Sequence, residues 1–186
     1  MRYILASASP RRKVLLKKII KTFRVIPSAV DERRIKAKTP ATLAVKAALA
    51  KALAVALTHQ KDIVIGADTI VILKNKVLGK PKDNKDAIRM LKSLGGRTHK
   101  VITGLAIVER AKKKIVTAYE TTKVKMKKIA DQAIKDYVAS GRPLDKAGGY
   151  GIQEIEDVFI DRIAGERDNV VGLPLKLLKS LLRRFS

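Results

Sequence analysis

The stretch Ile63-Val64-Ile65-Gly66-Ala67-Asp68-Thr69-Ile70-Val71-Ile72-Leu73 constrains this chain most, because it sets one carboxylate between two runs of β-branched apolar residues. Such runs read as a buried strand that ends at Asp68 and resumes after it, with Gly66 and Ala67 relaxing the backbone between them. An ionised carboxylate buried without partners is strongly destabilising, since desolvation is not repaid. Asp68 therefore either caps a turn or faces a cleft that holds cations, a metal or water.

The flanking sequence divides into short strands and helices. Arg2 to Ala6 reads as a strand, and Ser7-Ala8-Ser9-Pro10 leads into a helix with Ser9 as N-cap, Pro10 at the first position and Val14, Leu15, Leu16, Ile19 and Ile20 as its core face. Phe23 to Ile26 is a second strand, and Thr39-Pro40 opens an Ala- and Leu-rich helix to about Leu57. Lys74-Asn75-Lys76 turns the chain into Val77-Leu78. Asp86 to Leu94 carries Ile88, Leu91 and Leu94 at helical spacing and stops at Gly95-Gly96. Lys100 to Val108 and Ile115 to Met126 read as a long hairpin with a basic tip. A helix from Asp131 ends at Ser140-Gly141, Gly148-Gly149-Tyr150-Gly151 is a close-approach loop, Val158 to Ile163 is a strand, and Pro174 opens the last helix. The order βαβαββαββαβα predicts an α/β protein with a mixed sheet and flanking helices, in a single domain over residues 1–186.

Charge narrows the function. The 186 residues hold 41 Lys and Arg against 17 Asp and Glu, a net charge of +24 that favours anionic partners: nucleotides, nucleic acid or acidic membranes. The basic residues are spread along the whole chain, so most belong to a solvated surface. There is no cysteine, which excludes disulfides, thiolate metal sites and a Cys nucleophile and suits a reducing compartment. No stretch approaches the ~18 apolar residues of a membrane span, and the first apolar run is too short for a signal peptide, so a cytoplasmic protein is expected. Only His59 and His99 are available as imidazoles, which argues against a His-based metal site or a Ser-His-Asp triad.

The chemistry-bearing residues point to phosphate. Ser7-Ala8-Ser9-Pro10-Arg11-Arg12 combines small residues, a helix N-terminus and two guanidinium groups, the parts needed to hold a phosphate chain. It lacks the G-x-x-x-x-G-K-[ST] string of a P-loop, and no G-x-G-x-x-G fingerprint occurs elsewhere. Glu32 and Asp68 are candidate ligands for a hard cation such as Mg²⁺, which accepts few protein ligands and completes its shell with water and phosphate.

Ser7-Ala8-Ser9-Pro10-Arg11-Arg12, Gly66-Ala67-Asp68-Thr69, Gly79-Lys80-Pro81, Leu144-Asp145-Lys146-Ala147-Gly148-Gly149-Tyr150-Gly151-Ile152-Gln153 and Gly172-Leu173-Pro174, in this order over nearly the whole chain, resemble the Maf family of nucleoside triphosphate pyrophosphatases. The resemblance implies two lobes around a central cleft, as in the inosine-triphosphatase-like fold, and a divalent metal, Mg²⁺ or Mn²⁺. It implies hydrolysis of a nucleoside triphosphate to the monophosphate and pyrophosphate, which clears non-standard or excess nucleotides. It assigns Asp68 as the proton acceptor that activates water, with Glu32 beside it near the metal. Arg11, Thr69 and Gln153 fall on the substrate-specificity positions, and this trio resembles the branch acting on dTTP and UTP, with base-modified uridine triphosphates as further candidate substrates. Arg12, Lys51 and Lys80 would line the phosphate channel, although a small shift puts Lys46 in the place of Lys51. Dimers are common among enzymes of this size and type.

The pattern departs from the family at Glu154, Ile155 and Glu156, where small, glycine-bearing residues are usual, and at Arg167, Asp168 and Asn169, which replace a more aromatic stretch. The competing reading is a non-catalytic nucleic-acid-binding protein whose positive charge contacts backbone phosphates. Four Tyr, three Phe and no Trp leave it few stacking platforms, and no recognised nucleic-acid motif occurs.

Overall fold

The computed structural model describes residues 2–185. In chain order it contains β1 (Tyr3–Leu5), α1 (Pro10–Lys17), β2 (Arg24–Val25), α2 (Pro40–Ala56), β3 (Ile63–Leu73), β4 (Lys76–Leu78), α3 (Asn84–Leu94), β5 (Thr98–Glu109), β6 (Lys114–Met126), α4 (Asp131–Ala139), α5 (Ile152–Phe159), β7 (Ile160–Ala164), α6 (Arg167–Val171) and α7 (Leu175–Phe185). Among the described residues the strands form one mixed sheet in the order β2-β1-β3-β5-β6-β7, with β4 paired to β3. β1 runs parallel to β2 and β3, whereas β4 is antiparallel to β3 and β7 to β6. No described helix is long and apolar enough to cross a membrane.

The chain divides into two compact units. The first takes the chain up to Thr69, Ile102–Glu120 and the chain from Asp168 onward; the second takes Ile70–Val101 and Thr121–Arg167. In the first unit, Ala48, Ala52, Val55 and Ala56 of α2 pack against Ile4, Val64, Ala106 and Val108 of the sheet. The alanine-rich face brings the helix very close to the strands. A Cβ at Gly66 would stand 2.2 Å from the Ala48 carbonyl oxygen, and one at Gly104 would stand 2.3 Å from Ala44 backbone atoms. Gly66 is thus a contact surface for α2 and does not break the strand. β3 runs unbroken through Asp68, contrary to the expectation of a strand that stops there and resumes.

In the second unit Ala87, Leu91 and Leu94 of α3, Ile134 and Val138 of α4, and Ile155 and Phe159 of α5 are buried. The Gly148 amide donates to the Gly79 carbonyl at 2.9 Å, and Gly148 has φ 72° with Val71 side-chain atoms 3.1 Å from where a Cβ would lie. Glycine is therefore required here on both counts.

The caps at Ser9, Thr39 and Gly95 and the turn at Lys74-Asn75, both with positive φ, agree with the sequence reading. Three details differ. Val14 is 61% exposed and leaves the α1 core face to Leu15 and Leu16. The expected strand at Val158–Ile163 begins only at Ile160, because Ile152, Ile155 and Phe159 sit at helical spacing and form the buried face of α5. The short helix α6 at Arg167–Val171 was also not anticipated.

Candidate active site

α2 and β3 position the central pair. Lys51 lies on the same buried face of α2 as Ala44, Ala48, Ala52 and Val55, so its side chain is directed at the strand beneath. Its Nζ donates to Oδ1 of Asp68 at 2.7 Å and lies 2.5 Å from Oε1 of Glu32. The Lys51 and Asp68 side chains are over nine-tenths buried, whereas that of Glu32 is 47% exposed. The desolvation cost of Asp68 is thereby offset by an ammonium held in the same dry environment. Glu32 enters from a short 3₁₀ turn, Glu32–Arg34, that Asp31 caps by accepting from the Arg33 amide. Lys46 is elsewhere: its Nζ donates to the Lys36 carbonyl at 3.3 Å on the surface. Of the two lysines that sequence matching left open, Lys51 is the one paired with Asp68.

The N-terminus of α1 supplies the second group. Ser9 caps the helix by accepting from the Arg12 amide, and Pro10 stands at its start. Arg12 uses all three guanidinium nitrogens on protein acceptors: Nε on the Gly172 carbonyl at 2.8 Å, and one terminal nitrogen each on Ser7 Oγ at 3.2 Å and Thr69 Oγ1 at 3.0 Å. Burial lowers the affinity of this guanidinium for its proton, while the negative charges of Asp68 and Glu32 act in the opposite sense. Arg12 remains a cation at any working pH. Arg11, beside it, is half-buried.

Thr69 follows Asp68 on β3 and shares a 2.9 Å hydrogen bond with Thr103 of β5. Thr103 in turn donates to the Asn169 carbonyl at 3.0 Å. Thr103 and Asn169 are fully buried. Arg12, Glu32, Lys51, Asp68 and Thr69 all belong to the first unit, and the hydrogen bonds and ion pairs tie them into two adjoining clusters. Thr103 was missed by the sequence reading. The available signal was a hydroxyl standing within the apolar run Val101-Ile102-Thr103-Gly104-Leu105-Ala106-Ile107-Val108.

Lys80 and Gln153 belong to the second unit and are exposed, Lys80 beyond β4 and Gln153 in the first turn of α5. That turn is anchored by the neighbouring departure from the family pattern. Tyr137 Oη donates to Glu154 Oε2 at 2.7 Å and accepts from the Gly151 amide at 3.1 Å, while Lys146 lies 3.2 Å from Glu154 Oε1. Burial is the main cause that pushes the Tyr137 hydroxyl well above the ordinary phenol range. Two further departures pair with one another: the Arg167 guanidinium binds the Glu156 carboxylate and holds it below the usual range.

Among the described residues no three His, Cys, Asp or Glu side chains gather as a metal cage. Glu32 and Asp68 are nevertheless two hard oxygen donors on one ammonium. This donor set suits a Mg²⁺-like ion, which commonly uses one or two carboxylates and takes its other ligands from phosphate and water.

Residues 2–185 match the family described as Maf-like protein. The chain is 43% identical over 185 residues to a dTTP/UTP pyrophosphatase of Clostridioides difficile (strain 630), covering 100% of this chain and 95% of that one. It is 46% identical over 184 residues to a dTTP/UTP pyrophosphatase of Bacillus cytotoxicus, covering 99% and 95%. A protein of the same name from Thermosipho africanus is 46% identical over 183 residues, covering 98% and 92%. Among solved structures, the Staphylococcus aureus Ham1 protein superposes with a TM-score of 0.57 at 14% identity over the whole of both chains. A HAM1 protein from Coxiella burnetii gives 0.53 at 13% identity over 99% of each. These two likenesses concern the fold.

Proposed function

Since this chain belongs to the Maf-like family, we propose that it is a dTTP/UTP pyrophosphatase, hydrolysing these nucleotides to the monophosphate and pyrophosphate and so clearing nucleotide pools. Water attacks the α-phosphorus, the bond to the bridging oxygen of the β-phosphate breaks, and pyrophosphate leaves in line. Asp68 takes the proton of the attacking water. Lys51 holds that carboxylate in one orientation, and the third N–H of its ammonium is left to approach phosphate oxygen.

Glu32 and Asp68 would hold a divalent cation, Mg²⁺ or Mn²⁺, which when bound neutralises charge on the phosphate oxygens. Arg11, Arg12 and Lys80 supply further positive charge for the triphosphate, and Arg11, Thr69 and Gln153 recognise the nucleoside. A uracil or thymine edge offers one N–H beside carbonyl acceptors, and the NH₂ of the Gln153 amide is able to donate to such a carbonyl. A cytoplasmic setting fits a chain without cysteine.

The observation that carries this reading is the buried Lys51–Asp68 pair, with Glu32 on the same ammonium and the Arg12–Thr69 bond one residue along β3. The test is product analysis with Mg²⁺ and a panel of standard and base-modified nucleoside triphosphates, scoring pyrophosphate separately from phosphate, with EDTA controls. Pyrophosphate from dTTP and UTP is expected. Pyrophosphate from a purine nucleotide alone would keep the reaction and overturn the pocket. No turnover with any nucleotide or metal, together with salt-resistant nucleic-acid binding, would favour the binding-protein reading.

A further inference from the structure

We infer that Thr103 is a positioning residue that fixes the direction of the hydroxyl bond at Thr69, making Thr69 an acceptor-only contact that selects the imide N–H of a uracil or thymine. The inference rests on the dTTP/UTP reading above. Its argument is a count of protons. The Asn169 backbone carbonyl accepts and never donates, so the single O–H of Thr103 is committed to it at 3.0 Å. The 2.9 Å contact between the Thr103 and Thr69 hydroxyls still needs one donor, and only Thr69 has a proton left for it. A guanidinium has no acceptor, so Arg12 donates to Thr69 Oγ1 at 3.0 Å. The order Arg12 to Thr69 to Thr103 to the Asn169 carbonyl is the only one that satisfies every contact.

What remains to Thr69 toward a ligand is one lone pair. Thr103 is fully buried, whereas Thr69 is only partly so, which makes Thr69 the member of this relay able to meet substrate. A lone pair at a specificity position requires a donor on the nucleotide. The 2′-hydroxyl is absent from dTTP and the 3′-hydroxyl is common to all nucleotides, so neither discriminates. Uracil and thymine carry one ring donor, N3–H, where cytosine carries an unprotonated nitrogen that would face the lone pair directly. A glutamine amide can rotate to suit either base, but a hydroxyl whose proton is committed to a buried partner cannot.

The test is the ratio of kcat/KM for UTP to that for CTP, in the native chain, Thr103→Val and Thr103→Ser. Valine matches the shape of threonine without its oxygen, freeing the Thr69 proton. The ratio is expected to fall about tenfold or more in Thr103→Val and to stay within about twofold in Thr103→Ser, which keeps the hydroxyl. An unchanged ratio in a folded, active Thr103→Val overturns the inference. A second arm needs no variant: the native chain should turn over N3-methyl-UTP at least about tenfold less efficiently than UTP, and equal efficiency overturns the inference whether or not Thr103→Val folds. Absence of UTP turnover by the native chain would instead overturn the functional reading on which it rests.

Discussion

The Lys51 ammonium and the Asp68 carboxylate form a 2.7 Å ion pair whose side chains are only 8% and 9% exposed. Asp68→Asn keeps an oxygen that accepts from Lys51 and removes the group able to take a proton from water. Pyrophosphate release should fall by about 10³-fold, within the usual range for loss of a general base, while the chain stays folded, since Glu32 still neutralises the Lys51 ammonium and the amide oxygen still accepts from it. Near-native turnover in a folded, metal-replete variant would remove Asp68 from the base role.

The same pair makes Lys51 a stability residue. Lys51→Met leaves the Asp68 carboxylate buried without its ammonium, and breaking such a pair costs about 3–5 kcal/mol. Lys46→Met, on the surface, should change stability by less than about 0.5 kcal/mol. Urea unfolding of the two variants measures the difference; equal effects would mean that Lys51 does not compensate Asp68.

Much of this arrangement was legible in the sequence, and the residues show why the rest was not. Caps and turns at Ser9, Thr39 and Asn75 are local chemistry, decided by neighbours within four positions, so they could be read directly. Asp68 stood out because a charge in an apolar run needs a partner, but which lysine supplies it depends on the phase of α2, where Lys51 shares the alanine face and Lys46 does not. Gly66 was misread as a relaxation of the strand because the close approach of Ala48 is a contact between segments far apart in sequence. The last turn of α5 was hidden by β-branched residues around Val158, a local preference overridden by the burial of Ile155 and Phe159 on the helix face. Thr103 shows locally only as a hydroxyl within an apolar run, and no residue near it in sequence names its partner. Its role comes from Asn169, 66 residues away.

Replacing Gly66 or Gly104 by alanine tests whether α2 sets the site. Either Cβ would meet backbone atoms of α2 at 2.2–2.3 Å, which side-chain rotation cannot relieve, so the helix must move. Overpacking of this kind costs about 1–3 kcal/mol or more, read by urea unfolding. Because the displaced helix carries Lys51, turnover should drop along with stability. Loss of stability with unchanged kcat would show that the Lys51–Asp68 geometry tolerates the shift.

The last prediction concerns acid. His99 is 2% exposed; its Nε2 lies 2.6 Å from the Tyr150 hydroxyl, and its Nδ1 has no hydrogen-bond partner among the described residues. Protonation would bury a charge and leave an N–H at Nδ1 unsatisfied, so burial lowers the pKa to about 4 from the ordinary 6.5. The folded value lies below the unfolded one, so between those two values the unfolded chain binds the extra proton. Stability is therefore fully present above about pH 6.5 and is lost as pH falls toward 4, by up to about 3 kcal/mol from this one group. The carboxylates held low by Arg or Lys partners begin to lose their contribution only at the acid end of this range, Glu156 below its ordinary 4.5 and Asp31 and Asp131 below their ordinary 3.8. Urea unfolding from pH 7 to 4 should show the decline in the native chain. His99→Gln, which keeps a partner for Tyr150 and cannot titrate, should flatten it over that interval; a persistent slope in the variant would assign the acid sensitivity to other groups.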